Sequence, residues 1–294
     1  MIERILAQRQ YRILSKIGEG AQGIVYCVQR TGDERFYACK VIRSREAWER
    51  EIYFLQLIQN ETFPHYHESW WQSGVGMVIM EYAEGQSLDE FVRRRKSVTE
   101  RQMYAIAMEI AGALAYLHQK NPPLLFRDLK PSNIRIMSNG KVKLVDLGAV
   151  CLMKEDEKST GAGHGARSLA GTPAYAAPEQ FNHGESVGGY SDVYAFGKLL
   201  YYLLEASGKR NRGSTLQRRM DRWQWRMDRW QRRMDRWQGR KIRQRTKRIA
   251  AGCVRTEKNS RFPDMHTVFC KFQNEKRIIY NVCYEKNICI YNSD

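Results

Sequence analysis

The stretch that most constrains this chain is Phe126-Arg127-Asp128-Leu129-Lys130-Pro131-Ser132-Asn133, followed at Asp146 by Asp-Leu-Gly. An Asp, a Lys two residues later and an Asn three beyond that put an acid, a cation and an amide on one short piece of chain. Asp128 can orient a hydroxyl and accept its proton. Lys130 can neutralise a moving phosphoryl group, and Asn133, with Asp146 on the next strand, can hold a metal ion. Phosphoryl transfer asks for this charge placement and for little covalent chemistry from the protein.

A second cluster lies upstream. Residues 11–28 alternate apolar and polar on both sides of Gly18-Glu19-Gly20-Ala21-Gln22-Gly23-Ile24-Val25. This reads as two strands joined by a G-x-G-x-x-G-x-V turn, whose glycines let backbone N–H groups approach phosphate oxygens. Alone it is equally an ordinary glycine hairpin. It gains meaning from Ala38-Cys39-Lys40 on the following strand. Residues 47–58 then have helical periodicity, with Ile52, Leu55 and Ile58 on one face. Glu46, Glu49 and Glu51 are the acids this helix carries.

Taken in order, these motifs resemble the eukaryotic-type (Hanks-type) serine/threonine protein kinases. The catalytic-loop pattern H-R-D-x-x-x-x-N has Phe126 in place of His, and the D-F-G pattern has Leu147 in place of Phe; both are packing positions. Other matches are Gly171-Thr172-Pro173-Ala174-Tyr175-Ala176-Ala177-Pro178-Glu179, Asp192-Val193-Tyr194-Ala195-Phe196-Gly197, and Arg261 as partner of Glu179. The resemblance covers residues 10–272. Asn121-Pro122-Pro123 and the Tyr175–Phe181 run are similar to the bacterial eukaryotic-like branch.

The resemblance implies an α+β, two-lobed protein kinase fold: a small β-rich N-lobe over residues 1–83, a hinge near Tyr82, and a larger, mainly helical C-lobe over 84–272. It implies an enzyme that moves the γ-phosphoryl group of ATP, with Mg, to Ser or Thr hydroxyls of proteins, and that also phosphorylates itself. The alternative is a pseudokinase or nucleotide-gated scaffold. By the same resemblance Asp128, Lys130 and Thr172 are catalytic, Thr172 bonding both Asp128 and Lys130, and Asn133 and Asp146 hold the metal. Gly18, Gly20, Gly23, Val25, Ala38, Lys40, Glu51, Met80, Glu81 and Ala83 form the nucleotide site. Met80 gates its back, and the backbone at Glu81 and Ala83 meets the adenine edge. Asp192 is expected to bond back to the catalytic loop. Ser168, then Thr160 and Ser159, are candidate phosphorylation sites, because Arg127 precedes Asp128 as in kinases whose activation loop is ordered by phosphate. Arg135 departs from the family's usual apolar residue at the floor of the adenine site. A guanidinium there must reach water, an acid or the adenine face.

Charge is unevenly distributed. The net charge is +17, and residues 207–248 hold 17 Lys and Arg against 3 Asp, so 14 of those net positive charges lie in one segment. That segment repeats Met-Asp-Arg-Trp-Gln at Met220, Met227 and Met234. Leu216, Met220, Trp223, Met227, Trp230, Met234 and Trp237 fall at a and d positions, and a helix of about 34 Å would fit residues 216–238. Such a stripe can pack on the large lobe, pair with a partner helix, or lie on an acidic surface, either anionic membrane or nucleic acid. Residues 273–294 read as a C-terminal tail, a short hairpin or frayed chain around 277–280. No run of apolar residues is long enough for a transmembrane segment. The 7 cysteines show no metal-ligand spacing. The expectation is a soluble, cytoplasmic protein.

Overall fold

The computed structural model describes all residues except 21, 34, 95–97, 154–170, 182–185, 209–239 and 285–294. The candidate phosphorylation sites Ser159, Thr160 and Ser168 and the heptad stripe 216–238 lie outside the described residues. The chain forms two compact units: Met1–Leu88 with Pro131–Cys151, and Asp89–Lys130 with Leu152–Asp294.

The first unit begins with a short helix, α1 (Ile2–Gln8), that sequence periodicity did not reveal. Strands β1 (Tyr11–Gly20), β2 (Gly23–Arg30) and β3 (Phe36–Ile42) follow, then helix α2 (Arg45–Leu57), then β4 (Tyr66–Gln72) and β5 (Val75–Glu81). The five strands form one antiparallel sheet in the order β1-β2-β3-β5-β4. Alternation along the strands sorts side chains to two faces. Tyr37, Cys39 and Val41 of β3, with Met77 and Ile79 of β5, join Ile5 and Leu6 of α1 in a closed apolar cluster. The intervening residues point the other way. Register places Val25 opposite Lys40 and Ala38 opposite Met80, so those four residues share the face away from α1.

Ser44 caps α2 by accepting from the Ala47 amide, so the helix starts two residues before its apolar periodicity. After β5 come β6 (Gly85–Ser87) and, later in the chain, β8 (Ile134–Met137) and β9 (Val142–Leu144), forming a three-stranded sheet in the order β6-β8-β9. Gly85 makes the close approach of β6 to β8 feasible: at φ +154° a Cβ there would sit 2.3 Å from the Ile136 carbonyl oxygen.

The second unit is mainly helical. It contains α3 (Leu88–Arg94, whose first residue belongs to the first unit), α4 (Glu100–His118), the two-residue strand β7 (Leu124–Leu125), α5 (Gly189–Gly208), α6 (240–253) and α7 (Met265–Tyr284). A further short strand, β10 (Cys151–Leu152), lies at the boundary in sequence. A capping box starts α4: Thr99 accepts from the Gln102 amide and the Gln102 side chain from the Thr99 amide. Residues 277–280, whose alternation suggested a hairpin or frayed chain, are helical within α7. Alternation over four residues is too short to outweigh continuation of a helix begun at Met265.

A buried ion pair ties this unit together. Arg261 Nη1 lies 2.6 Å from Glu179 Oε1, with side chains 0% and 2% exposed. Ser191 also donates to that oxygen, and Arg261 donates further to the Arg255 and Thr256 carbonyls. Glu179→Ala would strand the guanidinium, and should cost about 3–5 kcal/mol in denaturant unfolding; a loss under about 1 kcal/mol would show the pair to be dispensable.

Candidate active site

Each unit gathers its own cluster of the expected residues. In the first, Lys40 Nζ lies 2.8 Å from both oxygens of Glu51 and 2.8 Å from Asp146 Oδ1. Lys40 and Glu51 are 4% and 3% exposed. Of the three acids on α2 that sequence left in competition, Glu51 faces the lysine, while Glu49 pairs with Arg45 on the exposed side. Asp146 sits two residues past β9 rather than on it, at φ +71°, a left-handed conformation that Asp tolerates better than most residues. Its Oδ1 also accepts from the Gly148 amide at 3.4 Å. Asn133 is buried just before β8, and its carbonyl accepts from the Val145 amide at 2.9 Å, which joins the two metal-ligand candidates through backbone.

The glycine turn approaches the same cluster. Gly23, at φ +136°, has no room for a Cβ, which would fall 2.2 Å from the Val41 carbonyl oxygen. Gln22 reaches inward: a Cβ on Gly148 would lie 2.0 Å from its Oε1, and Lys40 Nζ is 3.5 Å from that oxygen. Glu81 sends its side chain to Lys143 at 2.5 Å. Arg135 donates to the Gly85 carbonyl at 2.5 Å. Its charge is therefore met by a backbone oxygen, an acceptor the sequence reading had not considered.

In the second unit Asp128 Oδ2 lies 2.7 Å from Lys130 Nζ, and its Oδ1 accepts from Thr172 Oγ1 at 3.1 Å. Thr172 bonds Asp128 and not Lys130. Behind this loop Asp192, 1% exposed, accepts from the amides of Phe126 and Arg127, each at 2.8 Å. The expected bond from α5 to the loop is therefore present. Two further residues, not foreseen, complete it. His118 Nδ1 accepts from the Met265 amide at 3.1 Å, so the ring proton sits on Nε2, which faces Asp192 at 3.0 Å. Gln180 donates to the Arg127 carbonyl at 3.0 Å and holds Arg127 at φ +67°. Gln180 stood within a quoted motif; His118 had no signal beyond its place at the end of α4.

Residues 11–272 match the family described as Protein kinase domain. The chain belongs to the protein kinase family. Its fold is therefore the two-lobed kinase fold, β-rich in the N-terminal part and mainly helical after it. The kinase domain is 32% identical over 199 residues to Mitogen-activated protein kinase kinase 2 of Arabidopsis thaliana, covering 66% of this chain and 52% of that protein. It is 31% identical to Mitogen-activated protein kinase kinase SIPKK of Nicotiana tabacum, covering 66% and 54%. It is 32% identical over 203 residues to Serine/threonine-protein kinase Sgk1 of Xenopus tropicalis, covering 66% and 46%. The chain thus spans about half the length of these curated relatives.

Electrostatics of this kinase domain centre on Lys40. Burial works against its charge, but the carboxylates of Glu51 and Asp146 outweigh that and hold the ammonium above its ordinary 10.5. Burial pushes the Glu51 carboxyl up, and Lys40 pulls it back. A lysine raised on folding contributes stability that is whole below the unfolded value and is lost as pH climbs through the folded one. The difference in melting temperature between wild type and Lys40→Met should therefore stay flat in the alkaline range up to pH 10.5, above the titration of Glu51, and narrow beyond it. A difference that instead widened with rising pH would contradict a charged Lys40.

Proposed function

We propose that this protein is an ATP-dependent serine/threonine protein kinase that transfers the γ-phosphoryl group to Ser or Thr hydroxyls of protein substrates. The observation that carries this is the buried Lys40–Glu51–Asp146 cluster. A lysine held charged between two acids is a costly arrangement in a core, and it suits a site that receives phosphate. Val25, Ala38 and Met80 lie on the same sheet face and would line the adenine pocket. Backbone N–H groups of the Gly18–Gly23 turn would meet the phosphates. Asp128 would orient the acceptor hydroxyl and take its proton, and Lys130 would neutralise charge on the moving group.

The donor set suits magnesium. Asn133 and Asp146 offer hard oxygen ligands, and Asp146 is 35% exposed, so its carboxylate is within reach of solvent. When bound, the ion would screen the phosphate charge. The kinase reading is favoured over a pseudokinase because Lys40, Asp128, Asn133 and Asp146 are all present.

No helix among the described residues is long and apolar enough to cross a membrane. The described cysteines Cys27, Cys39, Cys151, Cys253 and Cys270 are free thiols, with burial pushing Cys39 and Cys253 up to about 12. Free thiols fit a cytoplasmic setting.

Radiolabelled ATP with a Ser/Thr protein substrate tests the proposal. Lys40→Met and Asp128→Asn should each remove more than about nine-tenths of the wild-type rate, a barrier rise above ~1.4 kcal/mol. Both should keep wild-type circular dichroism. Full activity in either variant would remove that residue from its role.

For the basic segment 216–238 we propose contact with an acidic surface, carried by its charge and by its Met/Trp stripe. Binding to double-stranded DNA through about six phosphates would give a log–log salt slope near −5. A flat response with both DNA and anionic vesicles would leave packing on the large lobe or pairing with a partner helix.

A further inference from the structure

Glu51 meets Lys40 only if α2 lies at one particular height on the sheet. Its buried apolar residues, Phe54 and Leu55, give attraction without direction, because burial of apolar surface is non-directional. They do not choose among small slides of the helix. The contacts that do choose are made one turn earlier, at Trp48.

Trp48 sits three residues before Glu51 and so projects from a neighbouring position on the helix surface. Its ring occupies a notch in β5 that exists because residue 76 is glycine. A Cβ at Gly76 would fall 2.2 Å from Trp48 Cδ1 and 2.4 Å from Cγ. The indole Nε1–H donates to the Met77 carbonyl at 3.2 Å, a directional bond that fixes the ring within the notch. Trp71 of β4 meets the ring edge-on, with centroids 5.6 Å apart. The Arg45 guanidinium lies over both indoles, 5.2 Å and 5.3 Å from their centroids. Arg50, on the other side of Trp48, donates to the Gly148 carbonyl at 3.3 Å and ties α2 to the segment that carries Asp146.

We propose that Trp48, seated in the Gly76 notch, is a positioning residue for phosphoryl transfer: it sets the height of α2 and thereby holds Glu51 on Lys40. This rests on the kinase reading of Lys40. On this proposal Trp48 acts through Glu51 and not on the reacting groups themselves.

Two readouts on the full chain test this. The first is the rate at which an amine-reactive reagent modifies Lys40, followed by peptide mass spectrometry. Lys40 is buried and doubly ion-paired in the wild type and should react slowly. Trp48→Ala should speed its modification, and Gly76→Ala, which fills the notch from another element, should do the same. Trp48→Phe keeps a ring in the notch and should restore most of the protection. The second readout is kcat/KM for ATP. Trp48→Ala should lower it about 100-fold, the scale of a misplacement of roughly 1 Å. In a Glu51→Gln background the same change should cost less than about twofold, because a residue acting through Glu51 has nothing left to position.

Multiplicative losses in that cycle, or unchanged Lys40 labelling in both Trp48→Ala and Gly76→Ala, would overturn the proposal. Should Trp48→Ala fail to fold, Gly76→Ala and Trp48→Phe decide it by labelling alone. A wild type that labels slowly yet transfers no phosphoryl group would refute the kinase reading and leave the labelling outcome to judge the seat of α2.

Discussion

An ammonium buried between two carboxylates is the interaction on which the first unit depends. Lys40 alone in that interior would be several kcal/mol too costly to remain charged. Glu51 and Asp146 offset the desolvation, and each must be delivered to within hydrogen-bonding distance by a different element. The arrangement therefore makes demands far beyond three residues. Strand β3 must present Lys40 away from the α1 cluster, which its alternation does. Helix α2 must arrive with Glu51 inward, and the loop after β9 must turn through a left-handed Asp. Breaking any of these would leave a charge uncompensated, so the cluster acts as a consistency test on the fold around it.

The second unit has a counterpart in Asp192. A single buried carboxylate gathers two adjacent backbone amides and one imidazole, and so fixes the conformation of the chain just before Asp128. The bonds that hold the loop are made behind it by Asp192, His118 and Gln180. In front, Asp128 is met by Lys130 and Thr172. The backbone of the loop is thus held by residues other than the candidate catalytic side chains.

The candidate site residues stood out in the sequence because their types and spacings suit one chemistry. Asp128, Lys130, Asn133 and Asp146 sit at separations that few other functions would produce, and Lys40 became readable once the glycine turn stood two strands' length ahead of it. Likeness to the kinase helix favoured Glu51 over Glu46 and Glu49, and Glu51 lies against Lys40. What escaped were contacts between residues that have no sequence relation. Nothing in the run Gly74-Val75-Gly76 hints that one of its glycines is a notch for an indole twenty-eight residues earlier. Gln22 over Gly148 and His118 beside Asp192 are the same kind of fact. Helix α1 is too short to show a period, whereas the capping box of Thr99 and Gln102 is a pattern the sequence itself displays. At Arg135 the conflict with an apolar floor was visible, yet its solution, a backbone carbonyl on β6, required knowing which strand lies alongside β8.

The path of the chain between the two units carries its own consequence. It crosses from one to the other after Leu88, returns after Lys130, and leaves again after Cys151. The second crossing falls inside the octapeptide, so Lys130 and Pro131, joined by one peptide bond, belong to different compact bodies. Neither body can be excised by a single cut. A fragment ending at Leu88 would hold Lys40 and Glu51 but lack β8, β9, Asn133 and Asp146, leaving the three-stranded sheet with β6 alone. Limited proteolysis or fragment expression at Leu88 would thus yield pieces that each lack part of the candidate site.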